Sequence, residues 1–140
     1  IPTAFTPNKN RTNREQVIIG TEWVSLAGYC RAVKDGNRIH VSGTTATHGS
    51  QMIGGADPAA QTHFVLDKIE GAITSLGGTL ADVVRTRIFV NDISQWEPVA
   101  RAHGLRFHGI NPANTLVEAK LVGDGYLVEI EAEAVLPSAS

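Results

Sequence analysis

The segment from Asp57 to Asn91 constrains the fold of this chain most, because a helix pattern is followed there by a strand pattern. Asp57-Pro58 predicts a helix start, since aspartate caps free backbone amides and proline fits the first turn. Gly77-Gly78 predicts its end. The positions between them form an apolar stripe at steps of three and four residues: Val65, Ile69, Ala72 and Leu76.

The strand pattern covers Asp82 to Asn91, where successive residues alternate in character. Alternation with a period of two is typical of a strand in a sheet with one covered face. The first expected face comprises Val84, Thr86, Ile88 and Val90. The other comprises Val83, Arg85, Arg87 and Phe89.

Two β-rich regions flank this centre and each predicts a hairpin. In the first, Lys34-Asp35-Gly36-Asn37 separates two runs within residues 29–45, and glycine and asparagine tolerate the backbone of a tight turn. In the second, Gly123-Asp124-Gly125 joins the runs Thr115 to Leu121 and Tyr126 to Leu136. We therefore expect an antiparallel pair near each end of the chain.

A second helix is predicted from Ser94, because Ser94 and Glu97 have the spacing of a capping box. The resulting order is hairpin, helix, strand, helix, hairpin. This order predicts an α+β fold in which two helices cover one face of a mixed sheet. Apolar residues on the other face, such as Val83 and Phe89 or the residues that alternate with them, would mark an association surface.

Composition limits the classes of function. A length of 140 residues with 42% hydrophobic content fits one domain, predicted over residues 15–140, with a loose polar arm over residues 1–14. The net charge of -2 argues against nucleic-acid or anionic-membrane binding, and no apolar run reaches the length of a membrane span. A single cysteine favours a reducing compartment, so we expect a cytoplasmic protein.

Several segments match a known family in order and spacing: GYCRAV with GNRIHVSG, LGG, RTRIFVNDISQW, NPANTLVEAKLV and VEIEAEAV. Over roughly Tyr29 to Val135 the chain resembles the RidA/YjgF family of reactive-intermediate (imine) deaminases. The resemblance implies a chorismate-mutase-like α+β fold. It also implies a homotrimer with a small-molecule cleft at each subunit interface. The five scattered histidines lack the spacing of metal ligands, so we expect no metal, and we expect no cofactor.

The resemblance also implies roles for individual residues. A tyrosine of the first hairpin helps to shape the pocket, and a glutamate of the last strand positions the attacking water; Tyr29 and Glu129 match these two positions. Active members bind the substrate carboxylate with an arginine, where this chain has Asn114. The chain therefore resembles a branch that lacks the arginine. The remaining residues expected to bind substrate are Arg31, Ser42, Gly43, Phe107 and Leu116.

Two of these residues have a competing interpretation. Arg31 lies two positions from Tyr29 on one strand, so it is the best candidate for a replacement anion anchor, although a surface arginine fits the pattern as well. Glu129 belongs to an alternating row with Glu131 and Glu133, which a solvated acidic face would also produce.

The sequence leaves three functions open. The first is a small-molecule binding protein with weak or altered imine or enamine hydrolase activity, since Asn114 offers only neutral hydrogen bonds. The second is a non-catalytic regulator or chaperone-like protein. The third, a ribonuclease or translation inhibitor, ranks last because the sequence has no basic and aromatic stripe.

Overall fold

The computed structural model describes residues 3–7, 14–19 and 22–138. One seven-stranded sheet runs in the order β1-β2-β3-β4-β9-β7-β8, and β5 and β6 form a small separate pair. The strands are β1 (Thr3–Pro7), β2 (Arg14–Ile19), β3 (Ala32–Asp35), β4 (Arg38–Thr44), β5 (Thr47–His48), β6 (Gln51–Met52), β7 (Val83–Val90), β8 (Ala113–Glu118) and β9 (Val128–Val135). The helices are α1 (Glu22–Ala27), α2 (Pro58–Ser75) and α3 (Trp96–Phe107).

The first predicted hairpin is confirmed. β3 and β4 pair antiparallel, with Asp35 opposite Arg38 across a two-residue turn. Gly36 occupies that turn at a φ of 65°, which glycine adopts without the steric penalty of a side chain.

The prediction for α2 is also confirmed at both ends. The Asp57 carboxylate accepts hydrogen bonds from the amides of Ala59 and Ala60, and Pro58 is the first helical residue. All four stripe residues are buried in the core beneath the sheet: Val65, Ile69, Ala72 and Leu76. Both long helices, α2 and α3, cover the same face of the sheet, as the α+β prediction requires.

The predicted start of the second helix is wrong. Asp92, instead of Ser94, provides a side-chain cap, and it caps the 3-10 turn before α3: its carboxylate accepts hydrogen bonds from both the amide and the hydroxyl of Ser94. A short 3-10 turn follows over Ile93–Gln95, and α3 begins at Trp96. Glu97 pairs with Arg101 one turn later and takes no part in capping.

The predicted second hairpin is wrong because β7 lies between its two runs. β8 pairs parallel with β7, and β9 pairs antiparallel with the other edge of β7 and with β4. The helix α3 supplies the crossover that a parallel pair needs. Gly123-Asp124-Gly125 marks a real change of chain direction, but a turn signal does not determine which strands become neighbours.

The predicted division of the β7 side chains between the two faces of the sheet is correct from Arg85 onwards and wrong at Val83 and Val84. Val83 is buried and Val84 is 47% exposed, the reverse of the prediction. A register shift between Val83 and Arg85 against β9 causes the reversal, because one extra residue turns the following side chains to the opposite face.

The face of the sheet away from the helices is more polar than predicted. Val83 is absent from it, and Phe89 and the neighbouring Val117 supply apolar surface at one end. Charged side chains occupy much of the rest. Arg87 lies 2.8 Å from Glu131 and 3.6 Å from Glu133.

The N-terminal segment is more regular than the predicted loose arm over residues 1–14. Thr3–Pro7 is a strand that pairs antiparallel with β2, and Arg14 already belongs to β2. Backbone pairing with β2 gives Thr3–Pro7 its regular structure. The remaining arm residues lie outside the described residues, and the domain boundary at residue 15 stays a prediction.

Candidate functional site

Glu129 lies on the polar face of β9, directly opposite Phe89 of β7. Its side chain is half-buried. Burial raises the pKa of its carboxyl group above the usual value, and the charge of Glu131 adds to the increase, while Arg31 opposes it. Glu129 is therefore a better proton acceptor than a fully solvated glutamate.

Gly43 makes room for the Glu129 carboxylate. A β-carbon at Gly43 would overlap Oε2 of Glu129. The pairing of β4 with β9 is irregular between Val41 and Thr44, which is where Gly43 lies. The lack of a side chain at Gly43 thus brings the β4 backbone against Glu129.

Arg31 is buried next to Gly43, so the alternative of a surface arginine is wrong. Its side chain is only 6% exposed, and Nη1 donates to Oγ1 of Thr44 at 2.9 Å and to the carbonyl of Gly43 at 3.3 Å. Its Nε is buried and has no hydrogen-bond partner among the described residues. Burial lowers the pKa of Arg31, and the nearby Tyr29 and Glu129 partly offset that effect.

Tyr29 and Ser42 complete this group. Tyr29 is 38% exposed and close enough to Arg31 to influence its pKa. The Ser42 hydroxyl donates to the carbonyl of Cys30 at 2.7 Å, and its amide donates to the carbonyl of Arg31. We call the residues Tyr29, Arg31, Ser42, Gly43 and Glu129 the Glu129 cluster.

Asn114 lies apart from the Glu129 cluster, on the helix-covered face of the sheet. It pairs with Thr86 of β7, and its Nδ2 donates to the Thr86 hydroxyl at 2.9 Å. That hydroxyl is also 2.9 Å from Nε2 of His103 on α3. The Thr86 hydroxyl can accept from Asn114 and either donate to His103 Nε2 or accept from it, according to the His103 tautomer.

Two other predicted substrate contacts lie on this same side. Leu116 pairs with Ile88 and packs against the hydrophobic core. Phe107 is 2% exposed in the core, with its ring centroid 4.6 Å from that of His103. Its helical position continues the core stripe of α3, and its contact with a ligand stays a prediction.

Lys68 lies close to Arg31, and no pattern in the sequence predicts that it is buried there. It lies on α2 beside the apolar stripe and is only 8% exposed. Its Nζ donates to the carbonyls of Thr45 at 3.0 Å and Thr47 at 2.8 Å. Burial lowers its pKa to about 8, and the positive charge of Arg31 contributes.

Across residues 3–7, 14–19 and 22–138, no three histidine, cysteine or acidic residues converge as metal ligands. No helix within them is long and apolar enough to cross a membrane.

A family model described as endoribonuclease L-PSP matches residues 20–136, which is most of the chain. The protein belongs to this family, the YjgF/RidA family. Its fold, a mixed sheet with two helices on one face, is the fold of the family's solved structures. The predictions of family and fold class are thereby confirmed.

Individual relatives agree with this assignment. Rv2704 of Mycobacterium tuberculosis, a YjgF/YER057c/UK114 family member, is 46% identical with a TM-score of 0.80, covering 88% of this chain and 99% of that one. The yjgF product of E. coli is 30% identical with a TM-score of 0.70, covering 76% and 87%. The uncharacterized protein SCO2049 of Streptomyces coelicolor is 34% identical over 82% of this chain and 87% of its own length.

Proposed function

We propose that this YjgF/RidA family protein is a cytoplasmic homotrimer that binds a small metabolite in a cleft between subunits. In that cleft it hydrolyses imines or enamines weakly, or with altered substrate preference. The observation that carries the proposal is the half-buried Glu129 carboxylate placed against Gly43, with Arg31 and Tyr29 beside it.

Glu129 suits the water-activating step. An imine carbon is already electrophilic, so hydrolysis needs mainly an oriented water and a group that accepts its proton. The raised pKa of Glu129 improves proton acceptance, and the lack of a side chain at Gly43 leaves room for the carboxylate beside the β4 backbone.

Asn114 accounts for the weak or altered activity. A hydrogen bond to a charged group contributes about 1.5–3 kcal/mol, against about 1 kcal/mol for a neutral pair. An asparagine cannot supply the charged, two-pronged contact that arginine makes with a carboxylate. In addition, one donor of the Asn114 amide is already engaged by Thr86.

The separation of Asn114 from Glu129 favours a site built between subunits. Within one chain Asn114 lies on the helix-covered face and Glu129 on the opposite face. They can contact one ligand only if a second copy brings its β8 towards Glu129. β8 is an edge strand of the sheet, and it is largely exposed. Three copies arranged in a ring would provide this contact at every interface.

The test is ammonia release from 2-iminobutyrate by the wild-type protein, with light scattering to establish the number of chains. We expect a trimer with slow turnover, and loss of that turnover in Glu129→Gln. Glu97→Gln is the matched control, because Glu97 is exposed on α3 and pairs with Arg101. Equal turnover by Glu129→Gln and wild type would overturn the assignment of Glu129.

A second candidate function is a non-catalytic regulator. The engagement of the Asn114 amide by Thr86 favours it, because this contact gives Asn114 a structural role. In that case Glu129→Ala would change no small-molecule binding. An RNA-directed role ranks below both, since a net charge of -2 provides no attraction for phosphates.

A further inference from the structure

The side-chain amide of Asn114 is held in one orientation by Thr86. Its Nδ2 lies 2.9 Å from the Thr86 hydroxyl and 3.5 Å from the Thr86 carbonyl oxygen. A carbonyl oxygen only accepts hydrogen bonds, so the end of the amide that faces it is the nitrogen. The donor end of the Asn114 amide is therefore directed at Thr86.

His103 is compatible with this orientation in either tautomer. Its Nε2 lies 2.9 Å from the Thr86 hydroxyl. A hydroxyl oxygen has two lone pairs, so it can accept from Asn114 whether it donates to His103 or accepts from it. Thr86 is also fully buried, so solvent does not compete for its hydroxyl.

The opposite end of the amide, the Asn114 oxygen Oδ1, is left for a ligand. Asn114 is exposed on the edge strand β8. Within the described part of the chain, its side chain forms hydrogen bonds only through Nδ2. Asn114 therefore presents an acceptor to the solvent side, where the arginine of active family members would present donors.

The side chains linked to Asn114 are uncharged at neutral pH. Thr86 is neutral, and burial lowers the pKa of His103, so its ring is uncharged as well. The neighbouring Arg85 of β7 turns to the opposite face of the sheet, where it donates to Thr115. A ligand carboxylate placed against Oδ1 would bring acceptors together with no donor between them.

We propose that Asn114 selects a neutral substrate that carries a hydrogen-bond donor, such as a primary carboxamide, in place of a carboxylate. The amide N–H of the ligand donates to Oδ1 of Asn114. This inference rests on the proposed function and specifies its substrate class as imines of amino-acid amides. Water adds to the C=N carbon and ammonia leaves, so the product is a 2-oxo amide.

The test compares two stable products, 2-oxobutyramide and 2-oxobutyrate, which differ only in the amide and carboxylate ends. Two-dimensional NMR titrations follow the side-chain NH₂ signals of Asn114, and we expect 2-oxobutyramide to bind saturably and more tightly. Asn114→Leu should weaken 2-oxobutyramide binding by roughly fivefold, the equivalent of about 1 kcal/mol, and leave 2-oxobutyrate binding unchanged. Asn91→Leu, the same change at an exposed position after β7, is the matched control and should bind both as wild type does.

Thr86→Ser and Thr86→Val test the orientation of the amide. Serine keeps the hydroxyl and should retain the preference for 2-oxobutyramide. Valine removes the hydroxyl and frees the Asn114 amide to turn, so the ratio of the two affinities should fall. Equal ratios in the two variants would overturn the role given to Thr86.

The outcomes separate this inference from the proposed hydrolase. Equal binding of the two ligands, tighter binding of 2-oxobutyrate, or unchanged 2-oxobutyramide binding in Asn114→Leu would overturn the inference. Preferential binding of 2-oxobutyramide without imine turnover would support it and count against the hydrolase. Turnover of 2-iminobutyrate as fast as that of its amide would do the reverse.

Discussion

Gly43 lies so close to the carboxylate of Glu129 that a methyl group on its Cα would overlap Oε2. The overlapping atom is the far end of a flexible side chain, so the carboxylate can move away while the backbone stays in place. The φ of Gly43 lies outside the left-handed region, so alanine fits the backbone there. A methyl group at Gly43 should therefore displace the Glu129 carboxylate without unfolding the protein.

Gly43→Ala should therefore lower turnover strongly while the protein stays folded, because the Glu129 carboxylate moves from its position. Ammonia release and thermal unfolding followed by circular dichroism measure the two effects. Gly71→Ala is the control: a β-carbon there meets nothing within 4 Å on an exposed part of α2, so it should raise stability by about 1 kcal/mol without changing activity. Full activity in Gly43→Ala would contradict the role given to this contact.

Glu129→Gln should make the protein more stable at neutral pH. The pKa of Glu129 is raised in the folded protein, so folding favours the protonated carboxyl group. This stabilising contribution is complete below the unfolded pKa of 4.5 and is lost as the pH rises through the folded pKa. Urea unfolding at a series of pH values should show a gain at pH 7 that disappears below pH 4.5. A variant less stable than wild type at pH 7 would disprove this.

Lys68→Met should remove a pH dependence on the alkaline side. The pKa of Lys68 is about 8 in the folded protein, against 10.5 for the unfolded group. Between these values the unfolded chain binds more protons, so wild-type stability should rise with pH across that window. Unfolding midpoints of wild type and Lys68→Met from pH 7 to 10 measure this rise. The difference between the two proteins cancels the contributions of other titrating groups. Parallel curves for the two proteins would contradict the lowered pKa.

Thr86→Val should destabilise the fold by about 1–3 kcal/mol. Thr86 is fully buried and its hydroxyl joins Asn114 to His103, so valine leaves both side chains without this partner. Thr74→Val makes the same chemical change at an exposed position of α2 and should cost less than about 0.5 kcal/mol. Urea unfolding compares the two variants, and equal losses would show that the buried chain of hydrogen bonds contributes nothing.

The sequence predicts the elements whose signals are local. The Asp57 cap, the α2 stripe and the Gly36 turn each depend on residues close together in the chain, and the structure confirms them. The predicted pairing of the last two strands is wrong because strand pairing joins residues far apart in the chain. The glycine turn at residues 123–125 cannot show that β7 lies between β8 and β9.

The candidate site was predictable only in part, for the same physical reason. Alternation predicts Tyr29 and Arg31 on one strand face, but this is wrong because β3 begins only at Ala32, and alternation says nothing about the neighbours that bury Arg31. No sequence pattern predicts that Lys68 is buried, because a lysine beside an apolar stripe normally extends its charged end into solvent. The resemblance brought Glu129 and Asn114 into one site, whereas a single chain places them on opposite faces of the sheet.

The most direct test of the account is the rate of ammonia release from 2-iminobutyrate by wild type, Asn114→Arg and the neutral control Asn114→Gln. An active family member that carries the arginine serves as the reference. We expect slow wild-type turnover, no gain in Asn114→Gln, and a gain in kcat/KM of roughly tenfold or more in Asn114→Arg, since tenfold requires only ~1.4 kcal/mol. Wild-type turnover equal to the reference, with no gain in Asn114→Arg, would contradict the claim that Asn114 limits this chemistry.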